Sequence, residues 1–398
     1  MHSPGTASQS RREFLGTTAL GLLGINRLSR SAPLPNEDAL LYVGSYTDAK
    51  RADGVALVRF DVRSGALELL RTVDAGPNPS FLAIHPNGRV LYAANEVAER
   101  AGQRAGGVGA FSIAGDGMLD RLGDQSSQGP GPCYVSVDRS GRALLVANYD
   151  GGSVALLPIA GDGALAPARS VDQHHGHGPD AERQEAAHAH CIVADPSNRF
   201  ALAADLGLDR VMLYRLDAAG GTLARVEEGD AMLAPASGPR HIGFHPKRNL
   251  VYVVGELDST VTTLRFDSKA GRLTAIDARS TLPAGWSAKS YAADIHVAPS
   301  GDVLYVSNRG HDSIAVFSIA SRSGELALEQ TIGTGGTWPR NFTLDPTGRW
   351  LLVANQNSSS IVVLARDGRT GLLSTTSRLL EIPSPVCLRF RAHTGVTT

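Results

Sequence analysis

The sequence repeats one short pattern six times, and this repetition restricts the possible folds more than any other feature. One clear copy is residues 345–355, DPTGRWLLVAN, in which a turn rich in Pro, Gly and Asp precedes a run of apolar and aromatic residues. Successive copies start 47 to 57 residues apart. An apolar segment also precedes each copy, which predicts a tight β-hairpin in every unit. The copies begin at His85, Asp138, Asp195, His245, Ala298 and Asp345.

A third apolar segment and a weaker fourth one follow each hairpin. A period near 50 residues with four strands per unit is typical of a β-propeller. Residues 36–47 contain LLYVGSYT, which looks like a second strand without its first, and residues 384–390, SPVCLRF, look like a first strand without its second. The sequence therefore predicts an all-β, seven-bladed propeller with four-stranded blades. The N- and C-terminal strands pair in one blade and close the ring.

The N-terminal segment has a different composition. Residues 10–15 read SRREFL and lead into FLGTTALGLLGI, an apolar run too short to span a bilayer as a helix. This pattern resembles a twin-arginine export signal, and the alternative is a disordered basic leader. We expect residues 1–35 to be signal and leader and residues 36–398 to be a single propeller domain. The protein would then be exported to the periplasm or the extracellular space, with no membrane attachment after signal removal.

Bulk composition excludes some partners. The chain has 38 Lys and Arg against 39 Asp and Glu, spread without long runs of one sign. This balance argues against nucleic acid or an anionic membrane as the main partner. Three cysteines give no complete disulfide framework, and all fall in predicted first strands, so we expect buried thiols. The oligomeric state cannot be inferred from the sequence.

The register of the repeat predicts which side chains meet. In an antiparallel hairpin, the start of the first strand and the end of the second strand lie at the same end. Small or apolar residues would be expected at these positions in a purely structural ring. Instead, one face of the disc collects six ionisable side chains near the central channel: Glu96, His190, Arg240, Glu256, Arg309 and Arg340.

Such a cluster suits an anionic, oxygen-rich ligand. Arginine binds carboxylate or phosphate through two parallel hydrogen bonds, and it can also stabilise the oxyanion that forms when a carbonyl is attacked. A histidine beside a carboxylate offers a general base for water. The alternative is a network of ion pairs that ties the blades together, in which Glu96 and Arg340 are scaffolding.

Further polar residues lie around the same ring. Asp294 and His296 alternate on one predicted strand and could support the site, although a hydrogen bond between blades is the favoured interpretation. We expect contacts with the substrate from six residues: Glu96, His188, His241, Asp294, His296 and Arg340.

The longest insertion, residues 174–190, is rich in histidine. His188 and His190 could share a metal ion, but no thiolate or carboxylate stands at a recognisable metal-ligand spacing. We therefore predict no metal and no cofactor, and we interpret His174, His175 and His177 as part of a solvated loop.

Several motifs resemble those of the seven-bladed lactonase family, the propeller type of 6-phosphogluconolactonase, to which fungal carboxymuconate-lactonizing enzymes are similar. The motifs are LYVGSYT, RQEAAHAHC, GPRHIGFHP followed by GEL, AADIHVAPSGDVLYVSNRG, and PRNFTLDPTGRWLLVANQ. The resemblance implies four catalytic groups: His190, Arg240, Glu256 and Arg309.

The predicted function is therefore hydrolysis of a small, anionic sugar lactone by acid–base activation of water. One alternative is a lactonizing isomerase that acts on a muconate-like dicarboxylate. Another is a non-catalytic propeller that binds an anionic ligand or a protein. The phosphorylated lactone that the resemblance implies is a cytosolic compound, so the export signal puts the phosphate in question more than the lactone.

Overall fold

The structure is a computed structural model that describes residues 38–47 and 54–391. These residues form seven antiparallel sheets of four or five strands. Each first strand contacts the first strand of the next blade, and the seventh contacts the first, so the ring is closed. The predicted seven-bladed, all-β propeller is confirmed. The predicted export signal and leader lie outside the described residues.

The blades are numbered from the first complete repeat, and blade 7 is shared between the two ends of the chain. Its first three strands in chain order are β1 (Ala39–Ser45), β2 (Val55–Phe60) and β3 (Leu67–Val73). Blade 1 contains β4 (Pro79–Ile84), β5 (Val90–Asn95), β6 (Gly107–Ile113) and β7 (Leu119–Ser126). Blade 2 contains β8 (Pro132–Val137), β9 (Ala143–Asn148), β10 (Ser153–Pro158) and β11 (Ser170–Gln173).

Blade 3 contains β12 (Ala189–Ala194), β13 (Phe200–Asp205), β14 (Arg210–Asp217), β15 (Thr222–Arg225), a 3₁₀ turn (Glu227–Gly229) and β16 (Ala231–Met232). Blade 4 contains β17 (Pro239–Phe244), β18 (Leu250–Gly255), β19 (Thr260–Asp267) and β20 (Arg272–Ser280). Blade 5 contains β21 (Tyr291–Val297), β22 (Val303–Arg309), β23 (Ser313–Ile319) and β24 (Leu326–Gly333). Blade 6 contains β25 (Pro339–Leu344), β26 (Trp350–Asn355), β27 (Ser360–Arg366), β28 (Leu373–Ser374) and β29 (Leu379–Glu381).

The last strand, β30 (Pro385–Phe390), completes blade 7 by pairing antiparallel with β1. Val43 lies opposite Leu388 in this pair, and both side chains are buried. Pairing the two ends removes the open sheet edges that an unclosed ring would leave. The predicted closure is confirmed.

The repeated sequence pattern has a direct structural cause. The carboxylate of Asp138 accepts hydrogen bonds from the backbone N–H groups of Ser140, Arg142 and Ala143, at 2.6 to 2.8 Å. Asp195 caps the equivalent turn in blade 3 in the same way. Aspartate at this position therefore fixes the hairpin turn, because its side chain replaces backbone acceptors.

Tyrosines on the second strands connect neighbouring blades. Tyr42 donates its hydroxyl hydrogen to the backbone carbonyl of Gly117 in blade 1 at 2.7 Å, and Tyr305 of blade 5 makes the same bond to Gly371 of blade 6. Apolar side chains of adjacent blades pack around these bonds. All three cysteines are buried, free and on first strands, as predicted. No helix in the described residues is long and apolar enough to cross a membrane.

Candidate active site

A polar cavity of about 500 Å³ opens on the face of the disc where the second strands end, which we call the upper face. Five of the six residues that the register brought together line it: Glu96, His190, Glu256, Arg309 and Arg340. The sixth, Arg240, is 2% exposed and lies behind Glu256, outside the cavity lining. The predicted convergence of these side chains on one face is therefore present in the structure.

A β-bulge near the start of the first strands aims side chains at this cavity. The pairing register shifts between Ala189 and Cys191, where His190 is left out of the ladder. It shifts again around Arg240 in blade 4 and around Arg340 in blade 6. A bulge leaves a residue unpaired and redirects its side chain. In blades 3 and 6 the unpaired residue lines the cavity, whereas in blade 4 Arg240 lies behind Glu256.

Glu256 lies at the centre of the cluster. Its Oε2 accepts a hydrogen bond from Arg240 Nε and forms an ion pair with Arg309 Nη2, each at 2.9 Å, and its Oε1 accepts a hydrogen bond from Arg183 Nη2 at 2.6 Å. Burial alone would raise the pKa of this carboxyl, but the three guanidinium groups hold it well below its usual value. Glu256 is therefore a permanent anion that organises the surrounding cations.

His190 is the member of the cluster best suited to accept a proton. Its Nε2 lies 3.9 Å from Glu256 Oε2, and its Nδ1 lies 3.6 Å from the Sγ of Cys133. Burial lowers the pKa of this imidazole well below its usual value, and the positive charge of Arg240 adds to the effect. The ring is therefore neutral at pH 7, and Glu256 is close enough to stabilise the imidazolium that proton uptake would create.

The two buried arginines are fixed by the backbone as well as by Glu256. Arg240 Nη1 donates to the carbonyl oxygen of Ala293 at 2.6 Å, and Arg309 Nε donates to that of Tyr291 at 3.2 Å. Burial lowers the pKa of Arg309 to about 10, so it stays protonated at neutral pH. Both charges are pre-positioned, and Arg309, which lines the cavity, therefore meets the requirement for stabilising a developing oxyanion.

Three residues that we expected to contact the substrate lie beneath the cavity instead. His241, Asp294 and His296 are absent from its lining. His241 Nδ1 is 2.8 Å from Asp294 Oδ1, and His296 Nε2 is 3.0 Å from Asp294 Oδ2. Asp294 also accepts from Asn341 Nδ2 of blade 6, which supports the interpretation of a hydrogen bond between blades. The physical reason is that Asp294 needs these partners, since an unpaired buried carboxylate would be costly.

His241 connects this lower network to the cluster. Its Nε2 lies 3.1 Å from Arg240 Nη1, so the Asp294–His241 pair orients the guanidinium that holds Glu256. Burial lowers the pKa of His241 to about 3, and the imidazole is neutral. The rings of Phe81 and Tyr134 pack edge-on against His241, with centroids 5.6 and 5.1 Å away.

Arg340 lies beside Tyr46 and Glu96. It donates to the Tyr46 hydroxyl at 2.8 Å, and that hydroxyl donates to the Glu96 carboxylate at 2.9 Å. Within the described residues, no carboxylate oxygen lies within 4.0 Å of the Arg340 guanidinium nitrogens. Arg340 therefore reaches a carboxylate only through the Tyr46 hydroxyl, which leaves its guanidinium without a direct carboxylate partner.

The histidine-rich insertion differs from its prediction at one residue. His174 was expected in a solvated loop, but it is buried between Asp205, 2.6 Å from its Nδ1, and the Tyr214 hydroxyl, 2.8 Å from its Nε2. His175 and His177 are exposed, as expected. His188 does not line the cavity either; its ring stacks on that of Tyr149, with centroids 4.5 Å apart.

The charge pattern of the register gave no sign of several other lining residues. Arg183 reaches the cavity from the insertion, and the rings of Tyr149, Tyr291 and Trp338 form aromatic walls. Of these, Tyr149 stood at a ring position but carried no charge. Arg183 lies in the RQEAAHAHC motif, which is the one sequence signal that could have identified it. No group of His, Cys, Asp and Glu in residues 38–47 and 54–391 is arranged to hold a metal ion.

Known proteins resemble this chain over nearly the whole propeller. The family described as "Lactonase, 7-bladed beta-propeller" matches residues 40–390. A 6-phosphogluconolactonase from Bacillus subtilis is 38% identical over 350 residues, which cover 88% of this chain and 97% of that protein. One from Formosa agariphila is 34% identical over 347 residues, covering 86% of this chain and 96% of the relative.

A solved structure is also similar to this chain. The periplasmic gluconolactonase of Pseudomonas aeruginosa has a TM-score of 0.83 and is 33% identical, covering 89% of this chain and 99% of that one. The family match extends over every strand that carries a cavity residue.

Proposed function

Because the chain belongs to the seven-bladed β-propeller lactonase family, we propose that it hydrolyses a sugar lactone with His190 as the base that activates water. The protein is thus a carboxylic ester hydrolase. The observation that carries the assignment of roles is the cluster around Glu256, where a neutral imidazole, one carboxylate and three guanidinium groups meet at one cavity.

The reaction proceeds by attack of water on the lactone carbonyl carbon. His190 takes a proton from the water as its oxygen bonds to that carbon, and the negative charge on the carbonyl oxygen is stabilised by Arg309. The bond between the carbonyl carbon and the ring oxygen then breaks, and His190 returns the proton to the departing oxygen. The product is a hydroxy acid, which loses its carboxylic proton to solvent at neutral pH.

Glu256 has a different role from that of the base. A carboxylate held by Arg183, Arg240 and Arg309 is too weakly basic to take a proton from water. It stabilises protonated His190 and keeps Arg240 and Arg309 in place. Arg240, which lies outside the cavity lining, therefore acts through Glu256 rather than on the substrate.

The anionic group of the substrate is held by Arg340. This cation faces the cavity and has a hydroxyl rather than a carboxylate as its close partner. A phosphate or carboxylate would neutralise the Arg340 guanidinium and accept two parallel hydrogen bonds from it. The aromatic walls suit the apolar faces of a sugar ring.

Export by the twin-arginine pathway is the second part of the proposal. It rests on the SRREFL pattern at residues 10–15, and the periplasmic location of the Pseudomonas aeruginosa relative supports it. An exported enzyme would meet unphosphorylated sugar lactones, so phosphorylation of the substrate has to be measured directly.

The test is acid release in a pH-stat with 6-phosphoglucono-δ-lactone, glucono-δ-lactone and a muconolactone, after subtraction of spontaneous hydrolysis. We expect acceleration on a sugar lactone. Arg340→Ala should raise KM for the phosphorylated lactone by about tenfold or more relative to the neutral one, and Arg199→Gln, on the opposite face, should match the wild type. Turnover of the muconolactone alone would favour a lactonizing isomerase. No turnover of any compound would favour a binding propeller.

A further inference from the structure

The insertion between blades 2 and 3, residues 174–190, is anchored to the propeller and contributes to the site. Buried His174 anchors its start through Asp205 and Tyr214. Gln184, fully buried, anchors its middle by donating to the Leu206 carbonyl at 2.8 Å. Close packing leaves no room for a side chain at Gly207, where a Cβ would lie 1.8 Å from the carbonyl oxygen of the insertion's Ala186. The backbone on both sides of Arg183 is therefore held in place.

Arg183 differs from the other arginines that hold Glu256. The side chains of Arg240 and Arg309 are 2% and 5% exposed, and backbone carbonyls hold both, whereas the side chain of Arg183 is 34% exposed. Within the described part of the chain, its hydrogen-bond partners are side chains alone, Glu256 at 2.6 Å and the Tyr149 hydroxyl at 3.3 Å. Its guanidinium can therefore change partners without disturbing the backbone.

Glu256 can tolerate such a change. Arg183 binds Oε1, while Arg240 and Arg309 both bind Oε2. If Arg183 leaves Oε1, the carboxylate keeps two charged partners and stays ionised. The rings of Tyr149 and Tyr291 both lie near Arg183: its guanidinium carbon is 5.9 Å from the centroid of Tyr291, and its Nη2 is 3.3 Å from the Tyr149 hydroxyl. They provide a surface along which a guanidinium can move.

The chemistry of the proposed function supplies a reason for the exchange. Hydrolysis turns a neutral ester into a carboxylate within the cavity that Glu256 also lines, and two carboxylates at close range repel each other. We propose that Arg183 receives this newly formed carboxylate, exchanging Glu256 for the product and binding it until it leaves. This inference rests on the proposed lactone hydrolysis and adds a product-binding residue to it.

Affinities for the product and for an uncharged analogue distinguish carboxylate binding by Arg183 from a purely structural role. Isothermal titration with gluconate and with glucono-δ-lactam compares the anion with a neutral ring of similar shape. We expect Arg183→Gln to weaken gluconate binding by about tenfold or more and to leave lactam binding within about twofold. Arg183→Lys, which keeps the charge, should retain part of the affinity. Arg199→Gln is the matched control, and melting temperatures verify that each variant folds.

Three outcomes would overturn the inference: unchanged gluconate affinity in Arg183→Gln, equal loss for gluconate and lactam, or no gluconate binding by an active wild type. Failure of the proposed function looks different. A wild type that binds gluconate through Arg183 but accelerates no lactone hydrolysis would refute the catalytic assignment and leave the anion site standing.

Discussion

Replacing Glu256 by Gln removes the one negative charge that compensates several buried cations. The side chains of Arg240 and Arg309 are 2% and 5% exposed and both bind Glu256 at 2.9 Å, so the neutral variant leaves them without a carboxylate. Breaking a buried ion pair by removing one partner typically costs about 3–5 kcal/mol. We therefore expect Glu256→Gln to lower the free energy of unfolding by about 3 kcal/mol or more, in addition to loss of activity.

The pH dependence of this deficit has a definite sign. In the folded protein the pKa of Glu256 lies well below its usual 4.5, so its stabilising contribution is complete above pH 4.5 and is lost as the pH falls through the folded pKa. The difference between wild type and Glu256→Gln should be full at pH 7 and should shrink in acid.

Urea unfolding followed by tryptophan fluorescence measures the effect. With an m-value of about 3 kcal/mol/M, a loss of about 3 kcal/mol moves the midpoint by about 1 M. Glu182→Gln, an exposed carboxylate on the insertion, is the control and should leave the midpoint unchanged. The double variant Glu256→Gln/Arg183→Gln should lose less than the sum of the single variants, because removing Arg183 also removes an uncompensated cation. An unchanged midpoint in Glu256→Gln would refute the reasoning.

Three further predictions concern neighbouring groups. Burial raises the pKa of the Cys133 thiol well above its usual value, so Cys133→Ser should keep kcat within about threefold, and complete loss would indicate thiol catalysis. Asp294→Asn should lower unfolding free energy by about 3 kcal/mol, measured in urea, and lower kcat/KM through the displaced Arg240; unchanged values for both would contradict the positioning role of Asp294. Because the pKa of His190 is depressed, kcat/KM should stay level as the pH falls past 6.5 and decline only in more acidic solution, whereas a half-maximal rate near pH 6.5 would contradict a buried neutral base.

The fold was predictable because the sequence repeats the pattern of one blade several times. Six copies of one hairpin set the blade number, and the unmatched segments at the two ends predicted the closed blade. The apolar segments that precede the repeated pattern, such as PSFLAI and PRNFTL, coincide with the first strands β4 and β25. Averaging over repeats removes the ambiguity that a single short apolar segment would carry.

The ring of charged residues was predictable for the same reason. Which of these side chains line the cavity, and which are buried behind it, was not predictable. Register placed His190 and Arg240 at one end of the disc, and both lie at a bulge of the same kind, yet His190 enters the cavity while Arg240 remains behind Glu256. Bulges depend on twist and packing in three dimensions. Asp294 and His296 were likewise expected to contact the substrate, but they are hydrogen-bond partners of each other and do not line the cavity.

The insertion was the least predictable part. A solvated loop and an anchored one have the same composition, and the burial of His174 depends on Asp205 and Tyr214, which follow it by 31 and 40 residues. Arg183 has no repeat counterpart with which it could be compared. The register of a repeat cannot predict the positions of side chains on a long insertion, because the insertion has no counterpart in the other blades.

The most direct test of the central claim is the initial rate of acid release from glucono-δ-lactone at pH 6.5 by wild type and His190→Gln at equal concentration. Catalysis by His190 predicts a wild-type rate well above spontaneous hydrolysis and a kcat/KM about 100-fold lower or more in a variant that remains folded. A folded His190→Gln variant with wild-type activity would contradict the claim.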